Sequence, residues 1–171
     1  MLKVLRVGEP ELSLRIITPA GARKYWNAVI KKQAWFDDAK EHLIVLLLST
    51  KFDVEGYSLV SIGCLNESIA HPREIFRAAV AAGCAGIVIL HNHPSGDPSP
   101  STVDHSLTQR LRDAANLLQI KLLDHVIVGR RRRLKPGDIK LSRGLRSPST
   151  IRAVQETAFR GYFSFKEQGV L

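Results

Sequence analysis

Two histidines and a carboxylate crowd one polar stretch: His91-Asn92-His93-Pro94-Ser95-Gly96-Asp97-Pro98-Ser99-Pro100-Ser101-Thr102-Val103-Asp104. Imidazoles at i and i+2 on an extended backbone project to the same side. A carboxylate on the first turn of a following helix can fold back toward them. Two neutral imidazoles and a carboxylate suit Zn²⁺ and leave one coordination position open for water. Hydrolysis at such a centre also needs a general base. Glu41 is the candidate, because a carboxylate at the mouth of an apolar strand is badly placed without a role. Glu55 and Glu67 are its rivals. Zinc lowers the pKa of a bound water to about 7, so a neighbouring carboxylate can take its proton and relay it to the leaving group. Ser101 is a candidate oxyanion donor. Ser101-x-x-Asp104 also spells a capping-box-like helix start, and the two roles are compatible.

The elements that position these residues follow from the pattern. The apolar run Ala85 to Leu90 is a buried strand that delivers the histidines. A long helix follows from about Ser101 to Leu118, with Val103, Leu107, Leu111, Ala114, Ala115 and Leu118 on its core face. His42 to Ser49 is an almost wholly apolar strand, covered on both faces as in the middle of an α/β sheet. Lys51 to Gly56 reads as a turn, and Tyr57 to Cys64 as a second, antiparallel strand. Thr18-Pro19 starts a helix that runs to about Gln33. Pro72 starts another, which Gly83 ends. Lys121 to Val128 is a strand, Ser149 or Thr150 to Phe159 a short amphipathic helix, and Tyr162 to Phe165 a closing strand. Residues 2–17 read as an edge strand or extended arm. His42, His71 and His105 read as surface or cap residues, and Asn92 points away from its flanking histidines.

At 171 residues the chain suits one α/β domain. The N-terminal residues do not have the pattern of a secretory signal, and no apolar run is long enough for a membrane span. Cys64 and Cys84 are too few for a disulfide framework and read as reduced, buried residues of a cytoplasmic protein. The net charge of +9 is concentrated: residues 130–160 hold ten basic and two acidic residues. Arg130, Arg131, Arg132 and Arg133 open that segment. It is either a solvated loop or a salt-sensitive, non-specific footprint for DNA or an acidic partner.

The spacing Glu…His-x-His-x₇-Ser-x₂-Asp resembles the JAMM motif of the JAB/MPN metalloprotease superfamily. Glu41, His91, His93, Ser101 and Asp104 match it. Four stretches resemble the RadC branch: Asn66 to Phe76, His91 to Asp97, Leu123 to Gly129 and Ser164 to Gly169. The resemblance implies a single RadC-type domain over residues 1–171, folded as a curved mixed sheet flanked by helices, of the cytidine-deaminase-like kind. It implies Zn²⁺ on His91, His93 and Asp104, with Glu41 as acid and base, and hydrolysis of a peptide or isopeptide bond. Asp97 and His125 are candidates to support the ligands from behind. Two departures are expected. RadC proteins usually carry an N-terminal helix-hairpin-helix-type region, and they usually make a shorter connection where this chain has its basic segment at about 130–160. A metallo-phosphodiesterase acting on DNA, or a non-catalytic DNA-associated protein related to repair, are the alternative functions. The expected partners are a peptide or isopeptide substrate and DNA, with no membrane; a homodimer is compatible with the sequence.

Overall fold

The computed structural model describes residues 5–6, 14–63, 70–130 and 148–171. In chain order these form β1 (Leu5–Arg6), α1 (Pro19–Ala28), a 3₁₀ turn (Ile30–Lys32), β2 (His42–Leu48), β3 (Val54–Ile62), α2 (Pro72–Ala82), β4 (Gly86–Asn92), α3 (Thr102–Leu118), β5 (Lys121–Val128), α4 (Pro148–Arg160) and β6 (Tyr162–Ser164). The strands make one mixed sheet in the order β1-β3-β2-β4-β5-β6. The β4–β5 pair is parallel, with α3 as its crossover, and the other pairs are antiparallel. The α/β reading therefore holds.

Strands β2 and β4 lie in the middle, apolar on both faces because both faces are covered. Ile44, Leu46, Leu48, Val88 and Leu90 pack on one face with Tyr25, Trp26 and Ile30. Leu43, Val45, Leu47, Ile87 and Ile89 pack on the other, with Ile75 and Phe76 of α2 and Leu107 and Leu111 of α3. Side chains alternate along a strand, so His91 continues the series of Ile87 and Ile89 onto the α2/α3 face. The start of α3 lies on that same face.

Local chemistry sets the ends of the elements. Thr18 caps α1 by accepting the Gly21 N–H, and Gly83 ends α2 in the left-handed region. Ser101 caps α3 in a complete capping box with Asp104. His71 occupies the N-cap position of α2 but its side chain makes no capping bond. Strand β3 begins at Val54, inside the expected turn, because the Ser49 hydroxyl gathers the N–H groups of Lys51 and Asp53 and closes the turn early. Of the edge strand or arm expected over residues 2–17, the described residues form β1 and, at Arg15, an isolated bridge to Asp53. Beyond β5, Gly129 meets the loop after β4 so closely that a methyl group there would stand 2.6 Å from the Gly96 carbonyl oxygen. Arg130 donates its N–H to that same oxygen at 2.8 Å. Cys84 is free and buried. Cys64, Arg131, Arg132 and Arg133 lie outside the described residues.

Candidate metal centre

Three elements meet at the C-terminal end of β4. The strand supplies His91, which is fully buried, and its continuation supplies His93. Helix α3 supplies Asp104 from its first turn, and the residue just ahead of β2 supplies Glu41. Leu43 pairs with His91 across the two strands; continuing that antiparallel register sets Glu41 opposite His93.

The His91 and His93 Nε2 atoms lie 3.1 Å apart. Asp104 stands 3.2 Å from His91 through Oδ1 and 3.5 Å from His93 through Oδ2. Ligands about 2.0 Å from a tetrahedral zinc ion are about 3.3 Å from one another. The His91–His93 separation and the two contacts to Asp104 fall close to that length, with His91 meeting one carboxylate oxygen, Oδ1, and His93 the other, Oδ2. Glu41 Oε1 is farther out, 3.8 Å from His91 Nε2 and 4.0 Å from His93 Nε2. Glu41, His91 and His93 nonetheless offer ligand atoms all within 4.8 Å of one another, so Glu41 borders the same space. The chemistry of the donor set also fits a cation. His93 Nδ1 lies 2.7 Å from the Asp97 main-chain oxygen, which can only accept, so Nδ1 carries the hydrogen. When that ring is neutral its Nε2 is a bare lone pair, facing a second imidazole and two carboxylates. Two imidazole nitrogens and two carboxylates facing one space favour a positive charge among them, either a proton held between a histidine and Asp104 or a metal ion.

The electrostatics run the same way. Burial opposes the charged form of His93, but bonding to Asp104 and Asp97 outweighs it and raises the pKa. Burial likewise disfavours the Asp104 carboxylate, yet His91, His93 and Ser101 hold it far below the usual range. Ser101 gives Asp104 Oδ2 both its hydroxyl, at 2.6 Å, and its N–H, at 2.7 Å. That hydroxyl hydrogen is directed at Asp104, so in this arrangement Ser101 orients the carboxylate; donating to an oxyanion requires that bond to be exchanged.

The flanking residues are placed as follows. Asp97 meets His93 through its main-chain carbonyl, while its carboxylate accepts the Ser99 N–H at 2.9 Å. His125 is fully buried and its Nε2 lies 2.8 Å from His91 Nδ1. Burial, with the like charge of His91, pushes its pKa well below the ordinary value. Arg130 is exposed at the edge of the histidine loop. Rivals of Glu41 are resolved for Glu55, which lies on β3 and is exposed; Glu67 is outside the described residues.

Two residues, His42 and Thr108, and the task of a third escape the sequence reading. Asn92, between the two histidines, points to the opposite face, as expected from strand alternation. Its side chain accepts the His42 N–H at 2.9 Å and donates to the Lys40 carbonyl at 2.9 Å, holding the residues on either side of Glu41. His42 is fully buried rather than at the surface, because it shares a face with Ile44, Leu46 and Leu48 and is covered by Trp35 and Phe36. Thr108 lies one turn after Asp104 and touches His125. The apolar neighbourhood of His42 and the outward direction of Asn92 have a local signal; the cross-strand bonds carry none. A cavity of about 790 Å³ lies elsewhere, by the C-terminal end of α3, and none of these residues lines it.

Comparison with known proteins agrees with the geometry. Residues 17–134 match the family model described as the RadC-like JAB domain. A UPF0758 protein of Chlorobaculum tepidum is 53% identical over 93 residues, covering 54% of this chain and 42% of the relative. One from Caldanaerobacter subterraneus is 50% identical over 91 residues, 53% of this chain and 39% of the relative. One from Desulfitobacterium hafniense is 47% identical over 103 residues, 60% and 44%. The chain thus spans about two fifths of the length of these curated relatives. With more than half of its residues matched by the family model, the chain belongs to the RadC-like JAB domain family.

Proposed function

We propose that this domain is a zinc-dependent hydrolase of JAMM type that cleaves a peptide or isopeptide bond. One observation carries the reading: the His91 and His93 Nε2 atoms face each other at 3.1 Å, the two oxygens of Asp104 reach them at 3.2 and 3.5 Å, and Glu41 borders the same space. His91 and His93 would hold the ion through Nε2, and Asp104 through its carboxylate. The chemistry Zn²⁺ supplies there is Lewis acidity toward a carbonyl oxygen and a lowered pKa for water. Glu41 accepts the proton of the attacking water and returns it to the leaving nitrogen. Ser101 keeps Asp104 aimed, and Asn92 keeps the Glu41 segment in register. Metal analysis of the purified chain tests the reading, followed by turnover of isopeptide-linked protein conjugates. About one zinc per chain and cleavage are expected. A chain that holds no divalent ion under any loading condition overturns it.

A second reading is favoured by the position of Arg130. It is exposed, and its backbone is bonded to Gly96 in the loop that carries His93, so the basic segment starts at the rim of the site. DNA held at Arg130 would lie near the same ion, which can also activate water toward phosphorus. Fluorescence anisotropy with a duplex at two salt concentrations, and a nuclease assay on the same preparation, separate the readings. Binding that survives reversal of the four arginines overturns the DNA footprint. No helix among the described residues is long and apolar enough to cross a membrane.

A further inference from the structure

The two histidines reach their metal-facing form by different routes. His93 is set directly, by the Asp97 carbonyl. His91 has no carbonyl at its Nδ1. It faces another imidazole, His125 Nε2, at 2.8 Å, and the hydrogen between them could belong to either ring.

The next link decides. His125 Nδ1 lies 2.7 Å from Thr108 Oγ1, and Thr108 Oγ1 lies 2.7 Å from the Asp104 main-chain oxygen. A carbonyl oxygen can only accept, so the single hydroxyl hydrogen of Thr108 is on that last contact. The hydrogen between Thr108 and His125 therefore belongs to His125 Nδ1. A neutral His125 then carries nothing on Nε2, and His91 must donate from Nδ1. His91 Nε2 is left bare, directed at Asp104 and His93. The ring closes on itself, since Thr108 and Asp104 share the first turns of α3. Phe165 holds the middle of this chain in plane: it is fully buried and stacks on His125 with centroids 4.9 Å apart and planes 12° apart.

We propose that Thr108 and His125 are positioning residues of the metal centre, forming a one-way hydrogen-bond relay that makes His91 present a bare Nε2 to the ion. The proposal rests on the metal reading above. It adds that a hydroxyl two residues removed from the ion sets the form of its most buried ligand. Partners of this kind alter metal affinity by roughly 10- to 100-fold when removed.

The test uses the full chain with Thr108→Val, which keeps the shape and removes the hydroxyl, and Thr108→Ser, which restores it. Zn²⁺ affinity is measured by chelator competition, and the Co²⁺-loaded chain is examined by visible absorption. The expected result is at least roughly tenfold weaker binding and shifted Co²⁺ bands in Thr108→Val, with both restored in Thr108→Ser. Nitrogen-15 NMR of the wild-type histidine rings gives a check that needs no variant: His91 and His125 should both carry hydrogen on Nδ1. Hydrogen on His125 Nε2, or a Thr108→Val chain with unchanged affinity and spectrum, overturns the relay while the metal reading stands. A wild-type chain that takes up neither ion overturns the metal reading, and this proposal with it.

Discussion

Two fully buried histidines sit at the same end of the sheet on opposite faces, and their surroundings differ in kind. His42 is ringed by complementary partners. Its Nε2 receives the Asp37 N–H at 3.4 Å, its Nδ1 lies 3.0 Å from the Lys40 carbonyl, and Phe36 stacks on the ring at 4.7 Å. One nitrogen accepts, the other donates, and nothing is left over. His91 meets a single imidazole at Nδ1, while its Nε2 faces His93, Asp104 and Glu41 together. Burial alone does not separate a structural histidine from a ligand. The surplus of acceptors around one and the balance around the other does.

The largest effect on that contrast should come from the surplus side. Replacing His93 or Asp104 with Ala removes one of the proposed ligands, so zinc binding should be lost. Retained metal in both variants would break the comparison. Glu41→Gln keeps a polar group of the same shape beside the proposed ligands. It should retain zinc while turnover falls by roughly 10²- to 10⁴-fold, and metal analysis alongside an initial-rate assay tells these apart. Asn92→Ala frees the segment on either side of Glu41. A smaller fall in turnover, about tenfold, is expected with metal content unchanged.

Asp124 sharpens the comparison from a third position. This buried carboxylate accepts the N–H groups of His125 and Lys166 and the Ser164 hydroxyl, so it is as well partnered as His42. Burial still pushes its pKa from 3.8 up to about 6, beyond what the bonds from Ser164, Lys166 and His125 pull back. A folded-state pKa above the unfolded one means the stability it contributes is complete below about pH 4 and lost as pH rises through about 6. The loss is about 3 kcal/mol if the whole shift is realised. Denaturant titrations across pH 4–7 should show that slope in the wild type and a flatter one in Asp124→Asn; equal slopes would remove Asp124 from the account. The smallest effect is expected on the balanced side. His42→Leu strands the Asp37 N–H and leaves the Lys40 carbonyl with Asn92 as its donor, costing about 1 to 2 kcal/mol of stability, and should leave zinc binding in place. Loss of metal there would erase the distinction between the two faces.

Much of this was legible in the chain. The strand Lys121–Val128, the helix from Ser101 and the strand before His91 have strong local signals: unbroken apolar runs, a capping box and 3.6-residue spacing. The meeting of His91, His93, Asp104 and Glu41 followed from strand alternation, a helix start and the motif. Other features had no such signal. The burial of His42 depends on Trp35 and Phe36 folding over it, and the tasks of Asn92 and Thr108 depend on bonds across 52 and 17 residues. Contacts of that range are properties of the assembled sheet, not of any window of sequence.

The capping box at Ser101 bears on the order of assembly. It is built wholly from groups of the chain: Ser101 and Asp104 each bond the other's main-chain N–H through their side chains. On the metal reading proposed above, Asp104 is aimed by those bonds rather than by the ion, unlike the ligands of small zinc modules whose folding waits for metal. Removal and return of an ion would then be a reversible exchange on a standing scaffold. A chain stripped by chelator should keep its circular dichroism spectrum and take up zinc again without a refolding step.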